Sequence, residues 1–163
     1  MVVSVTDASS LVYNYLKVST DARAVAVRDT LVSGADSVIE TGDLTEAKLR
    51  AAQDLRLADA SKLDLALFVE VQDAGEAQIG APGIYDARVV VRALDRGCSY
   101  RNLRRTKNAL REALSGVIGP LVAGAGGVFE VRYAGRSGHR YDSIVGIEYD
   151  ALTIVVPIEL PYF

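Results

Sequence analysis

The chain has 163 residues, with 18 Lys and Arg against 21 Asp and Glu, and hence a formal net charge of −3 at pH 7. Half of it is hydrophobic and 24% is charged, the balance of a globular domain with a sizeable core rather than of a disordered or collagen-like chain. One cysteine, Cys98, excludes an internal disulfide or multi-cysteine metal site, one histidine, His139, excludes a site built on two imidazoles, and the slightly acidic balance argues against nucleic-acid binding through bulk charge.

The opening residues Met1 to Val5 carry no basic segment, and the first cation is Lys17. No signal peptide is therefore expected, and the chain reads as cytosolic and reduced. The longest uncharged stretch, 17 residues from Ala113 to Phe129, is broken by Gly116, Gly119, Pro120, Gly124, Gly126 and Gly127. A spanning helix needs about 20 apolar residues, so no membrane segment is expected. No linker, repeat or low-complexity tail divides residues 1–163, which are expected to form one domain.

Taken in chain order, Thr6-Asp7 is a cap signal, and Leu11, Tyr15 and Val18 follow at helical spacing, predicting a helix of about ten residues. Thr20-Asp21 caps a second helix carrying Ala24, Val27 and Leu31, with Gly34 as its stop. Ser37 to Thr41 fits a short strand. From Leu44 to Lys62, the spacing of Leu49, Ala52 and Arg56 predicts a partly exposed, charged helix.

Leu63 to Gln72 alternates with strand period, as does Ile84 to Leu94, where Tyr85, Ala87, Val89, Val91 and Ala93 share one face and Arg88 and Arg92 the other. Asp73 to Gly83, punctuated by Gly75, Gly80 and Pro82-Gly83, reads as the loop of a long hairpin. Asp95 to Ser99 reads as a turn ending in an N-cap. Tyr100 to Leu114 is the clearest amphipathic helix, with Leu103, Leu110, Ala113 and Leu114 inward and Arg101, Arg104, Arg105, Lys107 and Arg111 covering the rest. Strands are predicted at Val128–Tyr133, Tyr141–Tyr149 and Leu152–Ile158, with a turn at Arg136–His139 and Asp150-Ala151 between the last two. Pro157 marks an edge or a strand end. This order predicts an α+β fold, with a mainly antiparallel sheet and helices packed on one face.

No catalytic, cofactor or metal motif stands out. Ser137, His139 and Asp142 contain the letters of a nucleophilic triad, but within six residues of a predicted turn they fit a solvated turn better. His139 with Asp142, Glu148 and Asp150 does not form a recognisable metal set. Cys98 precedes a helix without a second His or Cys to assist it. Gly124 to Gly127 lacks the Lys-Ser/Thr of a phosphate loop. The basic helix face carries the remaining signal. It reads either as a solvated face or as a docking surface for an acidic neighbour, and less readily as a DNA contact.

The opening helix, the strand LDLALFVEV, the segment YDARVVVRALDRG, the helix SYRNLRRTKNALREAL and the closing LTIVVPIEL follow one another in an order that resembles the tail terminator proteins of long-tailed bacteriophages. The resemblance runs from about Leu63 onward plus the first helix, and Tyr85 to Leu114 carries most of it. It implies a virion protein of the tail neck, assembled in the host cytoplasm, whose homohexameric ring caps the tail tube and stops its polymerisation. The ring would join the tube to the head-completion (stopper) protein, with DNA passing through the lumen, and no active site or cofactor is implied.

A ring needs two different patches per subunit. Arg136, His139 and Arg140 at the predicted turn, and Arg101, Arg104 and Arg105 on the basic helix, are the candidate contacts with a neighbouring copy or partner. A head-completion or tail-tube subunit is the alternative within the virion. A small hydrolase using Ser137 and His139, or a nucleic-acid-binding module using the basic helix, are the alternatives outside it.

Overall fold

The computed structural model of the protein describes residues 5–73, 78–81, 84–96, 100–117, 130–136, 140–143 and 146–159. Its spine is a pair of long antiparallel strands, β4 (Ile84–Arg96) and β8 (Ile147–Glu159), joined through 13 consecutive residue pairs. Both are rich in β-branched residues, which suit a covered, pleated surface. On the outer edge of β4 lie β2 (Phe68–Asp73) and β3 (Gln78–Ala81), and β1 (Val38–Glu40) pairs parallel with β2. On the outer edge of β8 lie β6 (Glu130–Arg136) and β7 (Arg140–Asp142), with the two-residue β5 (Gly116–Val117) beyond β6. The sheet is therefore antiparallel except at β1, and with its helices the fold is α+β.

Alternation along the spine creates one apolar face. Ala87, Val89, Val91 and Ala93 of β4 stand opposite Val156, Ile154, Leu152 and Asp150 of β8, and all are buried. Three helices cover that face: α1 (Val5–Val18), α2 (Ala22–Asp29) and α4 (Tyr100–Ala113). They supply Val12, Tyr15 and Leu16, then Ala24 and Val27, then Leu103, Leu110 and Ala113 to one core. Of the predicted caps, Thr6-Asp7 lies inside α1, which starts at Val5, whereas the one at Asp21 holds. Asp21 accepts from the Arg23 backbone N–H at 2.9 Å and starts α2, which ends at Asp29, before the predicted stop. Gly34, with φ of +56°, opens a short 3-10 turn instead.

The fourth helix, α3 (Glu46–Ala58), sits at the end of the sheet and serves its other face. Leu49 and Ala52 join Ile39, Phe68, Leu94 and Ile147 in a second, smaller core. In β1, β2, β4 and β8 these residues alternate with those of the larger core, so they point the opposite way. Thr45 caps α3, its Oγ1 accepting from the Lys48 backbone N–H at 3.2 Å. Thr45→Ala is expected to cost about 1 kcal/mol, read as a small fall in the midpoint of a urea melt.

Several sequence-based boundaries change. The strand predicted from Leu63 begins at Phe68. Leu63 instead closes a short 3-10 turn (Ala60–Lys62) and is exposed, while Ala66 forms an isolated parallel bridge with Leu31. Part of the predicted loop Asp73–Gly83 is strand: β3 continues in the direction of β2 along the same edge of β4, with Asp73 opposite Val89 and Gln78 opposite Asp86. Of the turn predicted at Arg136–His139, residues 137–139 lie outside the described residues. On either side of them, Arg136 pairs with Leu152 and Arg140 with Tyr149, and β6 and β7 are both antiparallel to β8.

The chain reverses between β7 and β8, where Gly146 adopts φ of +67° and its N–H donates to the Asp142 carbonyl at 2.8 Å. That turn splits the strand predicted at Tyr141–Tyr149. Asp150-Ala151 is no break either, because β8 runs straight through it. Pro157 lies near the end of β8, beyond the last pair shared with β6, Arg132 with Val155. Among the described residues no helix is long and apolar enough to cross a membrane.

Candidate functional site

The basic face of α4 survives folding in altered form. Arg101, Arg104, Arg105 and Arg111 are exposed on the side of the helix away from the sheet, Arg104 and Arg105 one turn beyond Arg101. Lys107, read from the sequence as a fifth surface cation, is buried: it faces β8 and pairs with Asp150 at 3.3 Å, the two side chains being 7% and 0% exposed. The correction has a local cause. Lys107 lies between Leu103 and Leu110 on the inward stripe, so an acidic partner in the sheet lets its charge stay there.

The helix is fixed along its length by polar contacts as well as leucines. Near its start, the Asn102 side-chain amide donates to Asp95 Oδ2 at 3.2 Å. Farther along, Thr106 Oγ1 donates to Thr30 Oγ1 at 3.0 Å, and Thr30 in turn donates to the Val27 carbonyl at 2.7 Å. Just past its end, Arg23 donates to the Ser115 carbonyl at 3.0 Å and to Asp21 Oδ2 at 2.9 Å. The Arg23 guanidinium holds the Asp21 carboxyl down at about 2. Burial pushes the nearby Tyr15 phenol up to about 12, so it stays neutral at any physiological pH.

Asp95 is the hub of this arrangement. The sequence reads it as a turn residue, yet it lies inside β4 with its side chain wholly buried. It accepts from Arg56 of α3, from Asn102 of α4 and from the Arg96 backbone N–H at 3.0 Å. Arg56 also donates to the Leu63 carbonyl at 2.6 Å, which ties down the turn after α3. Burial raises the Asp95 carboxyl above its ordinary range, and Arg56 opposes that shift. A buried carboxylate with three donors fits a positioning role that sets α3 and α4 against the sheet end.

The other candidates come together less well. Arg140 is exposed on β7, while Arg136 ends β6 three residues farther along β8, about 10 Å away at strand spacing. They share an edge of the sheet rather than the tip of a turn. His139, Ser137, Cys98, Ser99 and Gly124–Gly127 lie outside the described residues, so of the triad letters Asp142 alone is placed, in β7. Among the described residues no group of three or more His, Cys, Asp or Glu side chains is placed to hold a metal.

A surface pocket of about 170 Å³ opens on the α3 side of the sheet, lined by Leu44, Glu70, Arg92, Leu94, Asp142, Ile147 and Tyr149. Arg92 dominates it, donating to Gln72, lying 3.7 Å from Glu70 and stacking over the Tyr149 ring at 5.6 Å. Burial raises the Glu70 carboxyl, and Arg92 opposes the shift. Ligand sites for cofactor-sized molecules run to about 300–1,000 Å³, and this space is the size of one side chain.

Sequence reasoning found the exposed arginines but missed Arg56, Asp95, Lys107 and Asp150 as buried pairs. One signal was available: each charge interrupts an otherwise apolar inward row, Asp95 after Ala93 and Asp150 before Leu152.

No family model and no curated protein matches the chain. Its fold is similar to that of a chain in a solved structure titled "Virion of native gene transfer agent (GTA) particle", with a TM-score of 0.51, 10% sequence identity and 93% of each chain covered. At that identity the likeness is one of fold.

Proposed function

We propose that this protein is a structural subunit of a virion, and specifically a tail terminator of a long-tailed phage or phage-like particle. Copies of the chain form a ring, six in number by the resemblance, that caps the finished tail tube and stops its growth. The ring joins the tube to the head-completion protein and lets DNA pass through. The observation that carries this reading is the fold shared with a virion chain over 93% of both lengths. Two features support it. Among the described residues, the buried charges of Arg56, Asp95, Lys107 and Asp150 are held in ion pairs that position helices, and Arg101, Arg104 and Arg105 form an exposed, charged helix face.

The test uses the full chain with and without purified tail tubes, read by sedimentation velocity and negative-stain microscopy. A ring seated on the tube end is expected, and capped tubes should no longer elongate when tube subunits are added. A chain that stays monomeric and ignores tubes overturns the proposal. Binding to the portal-side adaptor instead of the tube reassigns it to the head-completion position, the second reading of the sequence.

A further inference from the structure

The exposed charge of this acidic chain is sorted by region. Arg101, Arg104 and Arg105 project from α4 and form no ion pair among the described residues. The surface around α3 is net acidic: Glu40, Asp43, Glu46, Asp54, Asp59 and Asp64 are exposed there against Lys48 and Arg50. Asp43, Asp54 and Asp64 are exposed there and also form no ion pair among the described residues. On α3 and in the turn after it, Leu57 is 78% exposed, Leu63 47% and Leu55 42%.

The position of the two regions matters as much as their sign. α4 packs on the sheet face formed by Ala87, Val89, Val91 and Ala93, whereas Leu49 and Ala52 of α3 pack with Phe68, Leu94 and Ile147 of the opposite face. The two helices therefore serve opposite faces of the sheet, although the end of α3 and the start of α4 meet at Asp95. A two-fold contact made through α4 alone would set arginine against arginine, which is repulsive. A head-to-tail contact sets arginine against aspartate in every repeat, and such heterologous contacts close into rings when the rotation allows. The arginine stems can also cover the exposed leucines while their guanidinium groups reach the carboxylates.

We propose that the occupant of the α4 arginine face is a second copy of this chain, which docks through its acidic, leucine-bearing α3 surface. The inference rests on the preceding reading in that copies must associate, and it assigns the surfaces by which they do so.

The experiment uses two triple variants of the full chain: R101E/R104E/R105E, with both surfaces acidic, and D43K/D54K/D64K, with both surfaces basic. All six positions are exposed, and circular dichroism and thermal melts check that each variant is folded. Self-association is measured by sedimentation velocity at moderate salt, with and without tail tubes. Each variant alone is expected to associate at least roughly tenfold more weakly than the wild type, because like charges then face one another. A one-to-one mixture is expected to recover assembly, since the acidic α4 of one variant meets the basic α3 of the other. Two results overturn the assignment while leaving a ring intact: triple variants that assemble like the wild type, or an arginine variant that forms rings but no longer seats on tubes. Folded variants that fail alone and also fail when mixed overturn it as well. A wild-type chain that never self-associates removes the ring reading and this assignment together.

Discussion

Replacing Arg56 by Met is expected to destabilise the fold by about 3–5 kcal/mol near pH 7, a fall in Tm of about 10 °C for a chain of this size. The loss comes from the partner left behind. Asp95 is wholly buried, and with Arg56 gone its charge keeps only Asn102 and the Arg96 backbone N–H as donors. Met fills much of the space of the arginine stem, so little of the effect is cavity. The double variant Arg56→Met/Asp95→Leu should recover part of the loss, because no charge is then left buried, although the Asn102 amide and the Leu63 carbonyl lose their partners.

The pH dependence has a definite sign. Burial already raises the folded-state Asp95 carboxyl above the ordinary 3.8, and Arg56 is the largest influence holding it down. Removing Arg56 raises it further. A carboxyl whose folded value exceeds its unfolded value binds a proton more readily when folded, so its contribution to stability grows as pH falls through the folded value. The deficit of Arg56→Met relative to wild type should therefore shrink between pH 7 and pH 4. Urea melts of both proteins across that range check the point, and a deficit that widens on acidification would contradict it.

On α4 two neighbouring residues should behave in opposite ways. Leu103→Ala is expected to cost about 2–5 kcal/mol, because Leu103 is wholly buried in the main core and its loss leaves a cavity. Arg104→Ala, one residue on and exposed, should change stability by less than about 0.5 kcal/mol. Under the proposed docking, Arg104→Ala instead weakens self-association, so the pair separates the helix's inward role from its outward one. Denaturation and sedimentation of the same two variants distinguish these effects.

Much of this arrangement was legible in local spacing. The inward stripe of α4, the two faces of β4, the Asp21 cap and the triplet Leu49, Ala52 and Arg56 on α3 all appear as read. Each depends on residues within a few positions of one another, and helix or strand period is a property of the chain itself. The boundaries that moved share another cause. Residues 78–81, with Gly80 among them, would suit a loop as readily as a strand, and pairing with β4 decides for the strand. Asp150 looked like a break in β8 because a carboxylate inside a strand is costly unless a cation waits opposite it.

Composition and periodicity by themselves determined the α+β class, the antiparallel spine, the amphipathic helices and the outward row of arginines. Tertiary structure alone decided that Lys107 is not part of that row, that Asp95 is a hub rather than a turn, and that α3 serves the opposite sheet face from α4. The physical reason is range. Burial of a charge is settled by a partner distant in sequence, as with Arg56 and Asp95, 39 residues apart, and no local pattern records which two distant segments the sheet brings together.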